Sequence, residues 1–506
     1  MSLARVNTFC LDGVAARRVW VEADIRKGLS AFAVVGLADK AVREARERVR
    51  AAITNSGYVF PNERITVNLA PAYLRKIGPG FDLPLAVAIV AASGQLEGDA
   101  LTGCAIAGEL SLNGDVRAIR GALAIAEGAR RHGLARLFVP RARAREAALV
   151  HEVEVAGVEH LQETVEVLRG VRDVAPVPDS DPEAEAPPAE PDLSDVRGHN
   201  GLIAALEVAA AGGHNLFLHG PPGTGKTMLA RRLPGLLPPL TPHEAIEVTR
   251  LHSIAGLHGG GGLIERRPFR APHHTISASG LVGGGGQPTP GEATLAHHGV
   301  LFLDELSEFT RPALEALRQP LEDGHVTIVR AQRVMAFPTR VTLVAASNPC
   351  PCGMGASACR CSAADLARHQ RRLSGPLLDR IDISVTVARP SAHALRTQAA
   401  PTSAELRPRI LAARERQTAR LTGTGLSCNA QLTARLLRQH GGATDAAQRL
   451  LYDLHDRNRL SARGHGRILR VARTVADLEG ADVVEPEHVL RATSLRLDDQ
   501  ALELAA

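Results

Sequence analysis

Aromatic side chains are scarce: one Trp, three Tyr and ten Phe in 506 residues. Base stacking would be poorly supplied, so any contact with a nucleic acid is expected to run through phosphates. Lysine is nearly absent, with four residues (Lys27, Lys40, Lys76 and Lys226) against 55 arginines. That skew, together with abundant Ala and Gly, looks like a GC-rich coding bias, and it removes arginine abundance as a functional signal. Lys226 stands out as the only lysine after Lys76. No apolar run reaches the ~18 residues of a membrane span, and MSLARVNTFCLDG has no secretory apolar stretch. The seven cysteines do not form a disulfide framework, because four of them fall between Cys350 and Cys361. Secreted, membrane and disulfide-scaffold classes are excluded, and a cytoplasmic protein is expected.

Hydrophobic residues make up 45% of the chain, enough for several cores, and the length suits about three or four domains. The formal net charge is +5, yet residues 173–195 carry eight acids and no base. The remainder is correspondingly more basic. Such a surface suits a polyanion partner, and it equally suits a solvated Arg-rich face. The acidic stretch itself, rich in Pro and Ala, reads as a linker.

An α/β multidomain chain follows from the patterning. Residues 1–172 alternate strands (VWVEADI, AFAVVGL, ERITVNLA) with an amphipathic helix (38–57) and a buried one (82–93), and they turn a hairpin at Asn113-Gly114. That is an α+β domain. Residues 196–388 alternate strand and helix as in a parallel sheet with helices on both faces. Residues 389–506 are helical throughout.

Residues 220–227 read GPPGTGKT, after an apolar strand and opening a helix, which is the context a phosphate-binding loop requires. Gly220, Pro221, Pro222, Gly223, Thr224 and Gly225 would form the ATP-binding loop, its glycines letting backbone N–H groups curl around phosphates. Lys226 would reach the β- and γ-phosphates and Thr227 would ligate Mg²⁺. In GVLFLDELSEF an apolar strand runs into Asp304, for the Mg²⁺ shell, and Glu305, to polarise an attacking water. VTLVAASNP ends in Asn348, which can hold that water or sense the γ-phosphate.

GPPGTGKT, VLFLDE, SNP and SGPLLDRIDI, followed by a helical lid, resemble AAA+ ATPases. RPFRAPHHTISASGLVGGGGQPTPGEATLAHHGVLFLDELSEF resembles the magnesium-chelatase-related branch, and YLRKIGPGFDLPLAVAIV extends the match to the YifB/ComM family. That resemblance implies a ring-forming ATPase, a hexamer, moving single-stranded or branched DNA. Within the family, branch migration during natural transformation is the implied role. It also implies an arginine finger at Arg380 and a lid arginine at Arg463, with Arg470 as second choice. The alternatives are a chelatase-type motor for metal insertion into a tetrapyrrole and an ATP-dependent protease.

The N-terminal domain resembles the proteolytic (S5 domain 2-like) domain of Lon. The nucleophile position of Gly-Pro-Ser-Ala-Gly falls on Gly80 here, and the stretch 119–125 has no lysine. Covalent peptide hydrolysis then has neither nucleophile nor amine base, and a binding or assembly module is expected. The arginines at 43, 46, 48 and 50, interleaved with Glu44 and Glu47, suit a solvated face better than a binding stripe.

Between Lys226 and Asp304 an insertion of about 255–295 carries glycine runs at 259–262 and 283–286. Arg266, Arg267, Arg270, His273 and His274 lie between them as candidate DNA contacts on pore loops. Local packing of the same segment is the alternative. Cys350, Cys352, Cys359 and Cys361 suit a structural Zn²⁺ site or a set of reduced or redox-sensitive thiols. His297 and His298 are expected to pack beside the neighbouring strand.

Overall fold

The computed structural model describes residues 3–37, 39–177, 190–259, 261–285, 289–330, 333–355, 359–373, 377–397, 400–458 and 462–496. Much of the expected linker, Gly260, Gly286 and the side chain of Arg43 lie outside the described residues. Two compact units result. One comprises Met1–Ala186, Ala245–Ile264 and Val329–Ala336, and the other Pro187–Glu244, Glu265–Ile328 and Phe337–Ala506.

The first unit is built on β1 (Leu3–Asp12), β2 (Ala15–Arg26), β3 (Ala31–Val35), β4 (Arg64–Ala70), β5 (Cys104–Ile106), β6 (Arg136–Pro140) and β7 (Glu154–Val158). They form a mixed seven-stranded sheet in the order β3-β4-β2-β1-β5-β6-β7. The longest ladder is antiparallel, β1 on β2, from Leu3↔Asp24 to Asp12↔Ala15. On β2, Val19, Val21, Ala23 and Ile25 alternate inward, the period of a half-buried strand. The helix Lys40–Asn55 is capped by Asp39, whose carboxylate accepts from Val42 N at 2.9 Å. Its buried face is Val42, Ala45, Val49, Ala52 and Ile53, spaced three and four apart. The helix Asp82–Ala92 is buried along its whole length.

The arginines of the first helix turn to internal partners. Arg46 donates to Phe32 O and Arg48 to the buried Asp82, while Arg50 lies over the Phe60 ring. No free basic stripe is left by these three. The hairpin at Gly114 pairs Glu109↔Arg117 and Leu110↔Val116, with Gly114 at φ +96°.

The start of the expected insertion belongs to this unit. Glu146, 1% exposed, accepts from Leu123 N at 2.8 Å and from the Ser253 hydroxyl. Arg250 pairs with Glu127 at 3.1 Å, and Ile254 joins the core of Leu123 and Ile125.

In the second unit β8 (Leu216–His219), β9 (Phe269–Arg270), β10 (Val300–Leu303), β11 (Thr342–Ser347) and β12 (Ile383–Thr386) form a wholly parallel sheet. The order is β9-β10-β11-β8-β12. The helices Ser403–Arg420, Ala434–His440, Asp445–Asn458, Ala462–Glu479 and Pro486–Ser494 follow. Ile410, Ile468 and Val475 from these helices share one core with Leu216, Phe302 and Val344 of the sheet. A buried polar chain ties the same elements together. His214 bridges Asp382 at 2.9 Å and Thr474 at 2.8 Å, and Arg470 donates to Asp382 at 3.1 Å.

Burial pushes the Asp382 carboxyl up, but Arg470 and His214 outweigh it and hold the group at about 2 instead of 3.8. Its contribution is therefore present in full above pH 3.8 and is lost as pH falls through the folded value. Asp382→Ala leaves the Arg470 guanidinium without its carboxylate and is expected to cost about 3–5 kcal/mol in urea denaturation at neutral pH. The deficit relative to the parent chain should shrink on acidification; a deficit independent of pH counts against the ion pair.

Candidate functional site

Strand β8 is buried at every residue and delivers the chain to Gly220. A Cβ there would lie 2.2 Å from Val387 O, so only glycine fits. Gly223 and Gly225 adopt φ +74° and +89°, the left-handed region that glycine enters without strain. The helix Lys226–Ala230 begins directly after them. Lys226 is 7% exposed, and its Nζ donates to Gly220 O at 2.6 Å, Pro221 O at 2.8 Å and Asn348 Oδ1 at 3.1 Å. Burial lowers its pKa, while Asp304 and Glu305 pull the other way.

The Thr227 hydroxyl donates to Asp304 Oδ2 at 2.7 Å, and Asp304 Oδ1 accepts from Glu305 N at 3.0 Å. A hydroxyl and a carboxylate held together are the donors a hard cation such as Mg²⁺ takes. Glu305 sits at φ +51°, ψ +52°, a conformation uncommon and costly for a residue with a side chain. The strained turn directs its carboxylate outward, where it is 53% exposed. Asn348 follows β11, and its backbone carbonyl lies 2.9 Å from His369 Nε2. The strands β10, β11 and β8 are neighbours running the same way, so their carboxyl ends bring the five side chains of Lys226, Thr227, Asp304, Glu305 and Asn348 together.

Two histidines here were not singled out in the sequence. His219, the last residue of β8, is pushed down to about 4 by burial, with His369 and Lys226 adding to it. It is neutral at physiological pH and adds no charge behind the phosphate loop. The signal was faint: a polar residue ending an otherwise apolar strand.

Arg380 is not brought to Lys226 within this chain. Its side chain is 9% exposed and paired with Glu322. Asp379 beside it is met by Arg467 at 3.3 Å and by Arg463 at 3.9 Å. Arg463 is 69% exposed and Arg467 only 5%, so the firmer link from the helix Ala462–Glu479 is the residue one turn on from the expected one. Arg470 is committed to Asp382.

The candidate DNA contacts of the insertion differ in their surroundings. Arg267 is a structural clamp, donating to Pro238 O, Pro239 O and His298 O and pairing with Glu244 at 3.3 Å. Arg270 makes a two-pronged pair with Glu292 at 2.6 and 2.7 Å. Both guanidinium groups already have carboxylate partners, which leaves little to offer a phosphate. His274 Nδ1 lies 3.5 Å from Glu305, so this side chain belongs to the site itself. Arg266, paired with Glu190 at 3.4 Å, and His273 remain exposed.

The second glycine run is packed at its start: Gly283–Gly284 pairs antiparallel with Thr289–Pro290, and a Cβ on Gly283 would lie 2.7 Å from Thr289 O. His297, 1% exposed, accepts from Arg340 N at 2.9 Å and packs beside β10 as expected.

In the first unit a Cβ on Gly80 would meet only Ile119 Cγ2, at 3.6 Å. The position has room for a nucleophile, but its nearest neighbour is a hydrocarbon. Lys76, fully buried, donates to Pro71 O. The sulfurs of Cys350, Cys352, Cys359 and Cys361 all lie within 4.8 Å of one another, a group that could hold a metal ion.

Comparison with known proteins gives the family of the chain. Residues 192–395 match the model of magnesium chelatase subunit ChlI, residues 21–143 that of the ChlI subunit of Mg-chelatase, and residues 400–496 that of the ChlI C-terminal region. The chain is 41% identical to the uncharacterised protein YifB of Escherichia coli, over 99% of this chain and 98% of that one. It is 40% identical to the competence protein ComM of Haemophilus influenzae, over 98% of each chain. A Lon protease of Bacillus subtilis is 30% identical over 144 residues, 26% of either chain.

The strain at Glu305 gives a direct expectation. Glu305→Gly should raise thermal stability by about 1 kcal/mol, because glycine adopts the same backbone without cost. Glu305→Gln keeps the strain and should leave stability unchanged. Both should lower nucleotide hydrolysis, read as phosphate release, by roughly a hundredfold or more. Equal stability of the two variants would remove the strained turn from the account.

Proposed function

The chain belongs to the YifB and ComM branch of the magnesium chelatase subunit ChlI family, and from that premise we propose that it is an ATP-driven DNA motor. It works as a ring of identical subunits, a hexamer, on single-stranded or branched DNA. Its task is branch migration while incoming DNA recombines during natural transformation. The observation that carries the proposal is the 3.5 Å approach of His274 to Glu305. A residue of the insertion touches the carboxylate that faces the reacting phosphate, so a change at the nucleotide has a short path to the segment expected to grip DNA.

The residues present fit ATP and Mg²⁺. Backbone N–H groups of residues 223–227 and the Lys226 ammonium hold the phosphates, which requires Lys226 to leave the carbonyls that now occupy it. Thr227 and Asp304 hold Mg²⁺, which offsets phosphate charge when bound. Glu305 orients the attacking water and takes its proton, and Asn348 fixes the water's position. Arg380 exchanges Glu322 for the ATP of the neighbouring subunit, and Arg463 and Arg467 report nucleotide state through Asp379. DNA contacts fall to Arg266 and His273, with phosphates as their targets.

The competence name of one full-length relative supports DNA as the track. Peptide hydrolysis is disfavoured, since Gly80 supplies no nucleophile. The N-terminal unit serves instead as a Lon-like binding or assembly module.

Lys226→Ala should abolish hydrolysis. Single-stranded DNA should stimulate the parent ATPase, with binding that weakens steeply as salt is raised. Mixing Arg380→Ala with Glu305→Gln subunits should restore part of the activity that each lacks alone, because some interfaces then carry a complete site. A chain that stays monomeric with ATP and DNA, and whose ATPase ignores DNA, would overturn the proposal.

A further inference from the structure

The loop after Asn348 reads PCPCGMGASACRC, with two glycines, one methionine and no other large apolar residue. Such a segment cannot be held by a core of its own, and small segments of this kind are fixed by a covalent or metal cross-link. Cys350, Cys352, Cys359 and Cys361 form no disulfide, which leaves a metal as the candidate cross-link. Cys350 Sγ lies 3.3 Å from Cys352 Sγ, and Cys352 Sγ lies 3.8 Å from Cys359 Sγ. Four sulfurs at Zn–S of about 2.3 Å in a tetrahedron stand about 3.8 Å apart, and the observed set surrounds that spacing.

The backbone is arranged to match. Gly353 N closes a turn onto Cys350 O at 2.9 Å, with Gly353 at φ +76°. Cys352 N donates to Cys361 Sγ at 3.3 Å and Cys361 N to Cys359 Sγ at 3.5 Å. Amides that donate to sulfur favour the thiolate that a metal needs.

The cluster also touches the phosphate loop. A Cβ on Gly353 would lie 2.8 Å from Pro222 Cδ and 3.0 Å from its Cγ, so this turn rests directly on residue 222 of GPPGTGKT. The same loop leaves from Asn348, which holds Lys226.

We propose that Cys350, Cys352, Cys359 and Cys361 bind one Zn²⁺ as a structural tetrathiolate, and that its Gly353 turn braces the phosphate loop through Pro222. On binding, four S–H bonds give way to four S–Zn bonds and the protons pass to solvent. No electrons move. The metal site stands apart from the DNA assignment; the brace rests on the phosphate-loop assignment alone.

The test uses the full chain purified without chelator. Elemental analysis should give one zinc per chain, and replacement by Co²⁺ should give the visible absorption of a tetrahedral thiolate site. Cys352→Ser and Cys359→Ser, both on the outer side of the cluster, should lose the metal. Absence of zinc and of a thiolate–cobalt spectrum, with four titratable thiols or a disulfide found by mass, overturns the site.

Gly353→Ala keeps every ligand and presses on Pro222. It should retain zinc while weakening binding of a fluorescent ATP analogue by about tenfold. Stripping zinc from the parent chain should weaken the same binding comparably. Unchanged nucleotide affinity in both, with zinc present in the first and absent from the second, overturns the brace and leaves the site standing. Loss of all nucleotide binding by the zinc-loaded parent instead counts against the phosphate-loop assignment.

Discussion

The hydrogen bond from Thr227 to Asp304 joins residues from the two outer members of a three-strand set, with β11 between them. It forms only if β8, β11 and β10 run in one direction and finish at one level. Parallel pairing sets that condition, with Leu216↔Val344 to His219↔Ser347 and Val300↔Thr342 to Leu303↔Ala345 in register, and each face of the strands packs into its own core. Lys226 on Asn348 is the second bond with the same requirement. Lys226, Thr227, Asp304, Glu305 and Asn348 all sit along this single carboxyl edge. The fully buried strands secure a site in which Lys226 is buried and Thr227, Asp304, Glu305 and Asn348 are exposed or half-exposed.

Local strain and local burial divide the work at that edge. Gly220, Gly223 and Gly225 take conformations or close approaches closed to other residues, so the loop's N–H groups can face a ligand. Glu305 takes a left-handed conformation without being glycine, and its carboxylate gains exposure beside His274. Behind the loop, His219 stays neutral because burial disfavours its charge. Positive charge at the loop therefore comes from Lys226, and its present carbonyl partners are weak rivals to a phosphate in the low-dielectric setting of a buried amine.

The ion pairs show how little charge counts reveal about function. Arg48, Arg267, Arg270, Arg380 and Arg470 each have a carboxylate partner. In a chain with 55 arginines this internal pairing absorbs groups that a linear reading assigns to a ligand. Arg467 illustrates the converse: unremarked in the sequence, it is buried on Asp379 next to Arg380. The first unit behaves alike, where Glu146 gathers Leu123 N and the Ser253 hydroxyl into a buried contact that no motif announced.

What the sequence determined by itself was the glycine turn of residues 220–227, the strand ends at Asp304, Glu305 and Asn348, the buried helix Asp82–Ala92, the Gly114 hairpin and the C-terminal helices. Each is a short-range pattern whose meaning is local: glycines where the backbone must bend, an apolar strand before an acid, apolar residues three and four apart. Strand β1 escaped notice because its inward residues Ala4, Val6, Thr8 and Cys10 are small or polar, so alternation was hidden until β2 paired with it. Tertiary structure alone decided that residues 245–264 join the first unit, that Arg267 and Arg270 turn inward, and that Gly353 lies on Pro222. Those outcomes depend on which carboxylate, carbonyl or ring arrives from elsewhere in the chain, and an arginine or glycine carries no record of its distant partner in its immediate neighbours.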